Sequence, residues 1–79
     1  MVDTIQGVLL SVATVTGREL NSLSKETEIE NLELDSLDEV EILMSLEERF
    51  NVIMDQTQVN LCRTLEELAT LIENSRDAA

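Results

Sequence analysis

The sequence predicts an all-α fold: a four-helix bundle with three longer helices and one short third helix. Three observations predict it. The chain has no proline and only two glycines, Gly7 and Gly17, so strong interruptions of regular backbone are scarce. Apolar residues recur at steps of three and four in three stretches, the spacing of a helix face. Helix-opening pairs, in which Asp, Ser or Thr is followed three residues later by Glu or Gln, mark where helices begin.

The first helix runs up to Gly17, with Val2, Ile5, Val8, Leu9, Val12 and Val15 on one face. Asp3 or Thr4 is expected to cap its start. Its many β-branched residues would suit a strand, but the alternation a strand needs is poor. Gly7 weakens the helix interior by about 1 kcal/mol relative to alanine. Gly17 stops it, because glycine accepts the left-handed conformation that follows many helices. Arg18 to Asn31 is then a long polar connection. Leu20, Leu23 and Ile29 are expected to pin it to the core. Connections this long in small domains are usually functional or carry short turns of structure.

The second helix is expected from about Ser36 to Phe50. With Leu37 at zero on a helical wheel, Ile42, Leu43, Leu46 and Phe50 fall between about 140° and 240°. They form the core face. Leu37, Val40 and Met44 fall between about 300° and 360°, with Glu41, Glu47 and Glu48 among them. A surface helix needs one apolar face. The second must be covered by this chain or by a partner. Arg49 suits the C-terminal end of the helix dipole. Asn51 to Met54 reads as a connection with an apolar anchor. Asp55 and Gln58 frame the start of a short third helix, about Gln56 to Leu61. Thr64 and Glu67 form a capping box for the fourth, whose face is Leu65, Leu68, Ala69, Leu71 and Ile72. Glu73 to Ala79 is expected to fray. There is no internal repeat or boundary, so residues 1–79 read as one domain.

The charge balance excludes several functions. Seventeen acids against five bases give a net charge of −12. Such a surface repels nucleic acid and attracts basic patches on proteins, most strongly at low salt. There is no histidine, which removes the usual zinc sets and Ser-His or Cys-His nucleophile pairs. Cys62 is the only cysteine. It has no disulfide partner within the chain and reads as a small, half-buried hydrophobe. The acidic run from Asp35 is not a calcium loop, because Leu37 and Val40 stand where an oxygen ligand and glycine are needed. The N-terminus lacks the basic flank of a secretory leader, and no apolar run is long enough to span a membrane. A cytoplasmic location is expected.

The chemistry concentrates at Ser36. Ser36 and Glu39 fit a capping box, and on that reading the serine is structural. Its surroundings carry more. Asp35-Ser36-Leu37, followed by Asp38, Val40, Glu41, Met44, Leu46, Glu47, Glu48 and Phe50, closely resembles the acyl carrier proteins. More loosely, the resemblance covers nearly the whole chain. It implies a carrier with no catalytic activity of its own. Ser36 would bear covalent 4′-phosphopantetheine, whose terminal thiol holds acyl intermediates as thioesters for fatty-acid or polyketide-type synthesis. Asp35, Leu37, Asp38, Val40, Glu41, Met44, Glu47 and Glu48 match the family's partner-recognition positions. The implied partners are a phosphopantetheinyl transferase and acyl-transfer, condensing and tailoring enzymes with basic patches, meeting a monomer. Two alternatives stand beside it: a peptidyl or aminoacyl carrier, and an unmodified acidic helical adaptor. The chain departs from the family at Glu28, where an aromatic is frequent, at Glu33, where glycine is frequent, and at Met54, where proline is common. These departures point to a specialised carrier.

Overall fold

The computed structural model describes residues 2–77. They form helices α1 (Val2–Thr16), α2 (Ser36–Phe50), α3 (Gln56–Leu61) and α4 (Leu65–Asp77). The fold is the expected bundle of three longer helices and one short third helix. Helix α1 packs against both α2 and α4, and α3 lies against α4.

The expected face of α1 meets the core through Val8 and Val12, with Ile5, Leu9 and Val15 packed against it, and the buried surface extends to residues the pattern did not mark. Val2 is exposed, while Ile5, Leu9 and Val15 are only half-buried. Thr4, Gly7, Val8, Ser11 and Val12 are the buried residues. Small and polar side chains bring α1 close to its neighbours. Ser11 is fully buried and accepts from the Ser45 hydroxyl at 3.0 Å and from Arg49 Nε at 3.3 Å. Asp3 and Thr4 both lie inside the helix. Neither residue is the cap. The Thr4 hydroxyl instead donates to Glu73 Oε1. That bond holds the Glu73 carboxyl below the usual carboxylate range.

Gly7 sits where the Phe50 ring crosses α1. A Cβ there would meet the ring tip, with Arg49 Cδ at 3.0 Å and Phe50 Cε2 at 3.1 Å. Alanine gains about 1 kcal/mol in helix propensity, but overpacking costs about 1–3 kcal/mol. Gly7→Ala should therefore lose about 1 kcal/mol net in urea unfolding. The same change in a Phe50→Leu background should be neutral or stabilising. An additive pair would remove the packing explanation.

Gly17 ends α1 at φ 75°, with its N–H on Ala13 O at 2.9 Å. The connection to α2 holds two short 3-10 turns, Leu20–Ser22 and Ile29–Leu32. Leu23 and Leu32 anchor it, and Ile29 packs against the core. Leu20 is exposed and is not an anchor. The segment is stapled to the start of α4. Thr27 O accepts from Leu65 N–H at 3.1 Å and Lys25 O accepts from Glu66 N–H at 3.0 Å. Thr64 Oγ1 accepts from Glu67 N–H at 3.2 Å. The first three N–H groups of α4, which a helix cannot satisfy internally, are thus all paired. The reciprocal Glu67 carboxylate reaches Arg63 N–H at 2.8 Å, one residue earlier than an ideal capping box.

Glu33 adopts φ 52°, ψ 49°. A side chain there costs about 1–2 kcal/mol, whereas glycine is at ease but more flexible when unfolded. Glu33→Gly should raise stability by about 0.5 kcal/mol, read as a higher thermal midpoint. A lower midpoint would contradict this account of the site.

The end of α4 does not fray from Glu73 as expected; the helix continues to Asp77. Glu73 holds Thr4, and the Arg76 guanidinium lies 5.9 Å from the Phe50 ring centroid. The last two residues of the expected frayed segment, 78–79, lie outside the described residues.

Candidate functional site

The site is the N-terminal end and outer face of α2. Asp35 is the cap: its Oδ1 accepts from Asp38 N–H at 2.8 Å. Its backbone O accepts from Glu39 N–H at 3.1 Å. Ser36 is therefore the first helical residue and not the cap, and the capping-box reading of Ser36 with Glu39 does not hold. The Ser36 side chain is exposed, and no hydrogen bond engages its hydroxyl among the described residues. At this position the N–H groups of Ser36 and Leu37 have no intrahelical acceptor, and the positive end of the helix dipole lies beneath them.

The second apolar stripe of α2 is not covered by the chain. Leu37 is 64%, Val40 50% and Met44 60% exposed. Ile42 and Leu46 on the opposite side are buried. Glu41 and Glu48 are exposed and Asp38 is half-exposed. Glu41, Met44, Ser45, Glu48 and Arg49 line a shallow groove along this surface. Asp35 at the cap and Leu37, Asp38, Val40, Glu41, Met44 and Glu48 on the helix that follows thus lie within reach of a molecule approaching Ser36.

Glu47 differs from the other acids. It is half-buried, and its Oε2 accepts from Met54 N–H at 3.0 Å. A proline at position 54 has no N–H to donate. This departure from the family pattern gives Glu47 a partner inside the chain. Met54 itself is buried, so it is the apolar anchor of this connection, while Ile53 is 91% exposed. Ile53 adds an apolar side chain near the C-terminal end of α2 that the sequence reading took for part of the anchor.

Cys62 is half-buried. Its Sγ lies 3.5 Å from Gln58 O. Burial, and then the Glu67 carboxylate, push its thiol up, so it is a poorer nucleophile than a free cysteine. Among the described residues no cluster of His, Cys, Asp and Glu could hold a metal ion, and no helix is long and apolar enough to cross a membrane. Behind α2, facing α3, lies a cavity of about 150 Å³.

Residues 6–72 match the family model described as "Phosphopantetheine attachment site". An acyl carrier protein of Helicobacter hepaticus is 31% identical over 75 residues, which cover 94% of this chain and 99% of that protein. The chain belongs to the acyl carrier protein family. Acyl carrier protein 4, chloroplastic, of Arabidopsis thaliana is 42% identical over 52 residues, 66% of this chain and 38% of that protein. Acyl carrier protein 1, chloroplastic, of Hordeum vulgare is 43% identical over 51 residues, 65% of this chain and 34% of that protein. The chain thus spans little more than a third of the length of these two relatives. The covalent group of the family is 4′-phosphopantetheine. The carrier's exposed serine fits such a group: its hydroxyl is left unused by Asp35, and a phosphodiester on it would face free N–H groups and the dipole end.

Proposed function

We propose that residues 1–79 act as a single carrier domain that holds acyl groups on 4′-phosphopantetheine attached through Ser36. The pathway would be fatty-acid or polyketide-type biosynthesis. The observation that carries this reading is the exposed Ser36 hydroxyl at the first helical position, with capping performed by Asp35. When bound, the group supplies a flexible arm whose thiol carries acyl groups as thioesters.

The chain's own residues do the presenting. Asp35 fixes the direction of the helix start, so Ser36 is held at a fixed point on a rigid element. The free N–H groups and the dipole favour an anionic phosphodiester there. With no histidine in the chain and no basic side chain bonded to Ser36, activation of the hydroxyl falls to the modifying transferase. The carrier has no catalytic activity of its own. Partner enzymes with basic patches are steered by Asp35, Asp38, Glu41 and Glu48, and Leu37, Val40 and Met44 give the docked complex its apolar centre. Weak exposed pairs suit a monomeric carrier that must release each partner. Glu47 contributes charge while bonded to Met54. The setting is cytoplasmic.

Acyl-coenzyme A and a phosphopantetheinyl transferase of broad specificity should together yield an acylated chain that neutral hydroxylamine deacylates. An adduct that resists hydroxylamine would not be a thioester, and the carrier reading would fall. The adaptor reading predicts no adduct and full partner binding by the unmodified chain.

A further inference from the structure

The turn that delivers the chain to Ser36 is built around one strained residue. Glu33 sits at φ 52°, ψ 49°, a left-handed conformation that Asn and Asp tolerate better than Glu. Its neighbours hold it there. Leu32 is buried and Leu34 packs against the core. The Leu32 carbonyl accepts from Arg18 Nη2 at 3.0 Å, and the Glu33 N–H donates to Glu30 O at 3.2 Å. Between these anchors the Glu33 side chain is exposed, so a carboxylate stands in solvent on a fixed mount. That carboxylate is uncommitted: the ion pairs among the described residues are Lys25 with Glu66 and Arg76 with Glu73. Asp35, by contrast, already has its carboxylate on the Asp38 N–H. Glu33 precedes Ser36 by three residues, which keeps it within roughly 11 Å along the chain.

We propose that Glu33 is a specificity-determining residue for loading of the arm: its carboxylate pairs with a basic side chain of the phosphopantetheinyl transferase as the enzyme seats on Ser36. The inference rests on the carrier reading above and names a partner contact of that same site. Backbone strain held in place beside a reactive position marks a residue kept for contact and not for stability. A carboxylate only accepts, so its complement is a cation. Because the backbone is already fixed, docking orders little more than the side chain. Glu33 precedes the hydroxyl in the chain and the α2 acids follow it, so the transferase is held through segments on both sides of Ser36 in sequence. The pair is exposed and made equally before and during transfer, so it acts on KM and leaves kcat alone.

The test compares Glu33→Asp, Glu33→Asn and Glu33→Gly in loading from coenzyme A by a phosphopantetheinyl transferase of broad specificity. Asp and Asn suit the left-handed backbone alike and differ in charge. Glu33→Asp should keep KM within about twofold of the parent chain. Glu33→Asn and Glu33→Gly should each raise KM about three- to fivefold with kcat unchanged, although both should melt higher than the parent. The rise should fade towards about 1 M salt. Loading that is unchanged or faster in Glu33→Asn and Glu33→Gly, a change confined to kcat, or an Asp variant that behaves like Asn would overturn the proposal. Should the parent accept no arm, the attachment reading fails separately. The unmodified chain then competes with a control carrier for the same transferase. An inhibition constant about three- to fivefold higher for Glu33→Asn supports the contact. An unchanged constant, or no competition by the parent, overturns it.

Discussion

Replacing Ser36 by alanine is expected to leave the bundle intact and to abolish carrier function. The side chain is exposed, and the N–H groups of Asp38 and Glu39 already donate to Asp35, to its Oδ1 and its backbone O. Alanine is an excellent helix former, so the stability change should stay within about 0.5 kcal/mol. Loading should fall to zero, because no other serine of this chain opens α2. Asp35→Ala provides the contrast. It removes the cap and should cost about 1 kcal/mol, while leaving the hydroxyl available and loading measurable. Circular dichroism and reconstituted acyl-chain synthesis separate the two variants. Retained synthesis by Ser36→Ala would favour the acidic adaptor.

The second large effect is expected from Glu41→Lys combined with Glu48→Lys. Both carboxylates are exposed on the face that carries Val40 and Met44. Single exposed pairs contribute at most about 1 kcal/mol, but reversal turns attraction into repulsion at two points. Partner kcat/KM should drop about tenfold at low ionic strength. The loss should shrink towards 1 M salt, where the screening length is about 3 Å. Helicity should not change. Glu47→Lys should behave differently, because it also strips Met54 N–H of its acceptor. Its cost should include about 1 kcal/mol of stability that salt does not restore. Unaltered kinetics of the double variant with several partners would remove the recognition face from the account.

The sequence was most legible where local chemistry decides structure. The bounds of α2 were expected at Ser36 and Phe50 and are observed there, with Asp35 capping one end and Asn51, left-handed at φ 54°, closing the other. The stripe of Leu37, Val40 and Met44 was visible as a second apolar face to be covered by this chain or by a partner, and the structure leaves it uncovered by the chain. Reading failed where distant residues decide. Hydrophobicity found Val8 and Val12 on the core side of α1, with Ile5, Leu9 and Val15 against it, but missed the burial of Thr4, Gly7 and Ser11. The order at the end of α4 comes from Thr4 and Glu73, which are 69 residues apart, and from Arg76 on the Phe50 ring. The strain at Glu33 was hinted at by the missing glycine, yet only the backbone assigns it a left-handed conformation. Glu47 looked like its acidic neighbours until the Met54 amide was placed beside it. The cavity could not be read at all, because a void is set by gaps between side chains and not by their types.

The most direct measurement is the intact mass of the chain after incubation with coenzyme A and a phosphopantetheinyl transferase, followed by fragmentation. The account predicts a gain of one phosphopantetheine, carried on the fragment containing Ser36 and absent from Ser36→Ala. A folded chain that gains nothing beside a control carrier that is modified, or a group mapped to any other residue, would contradict it.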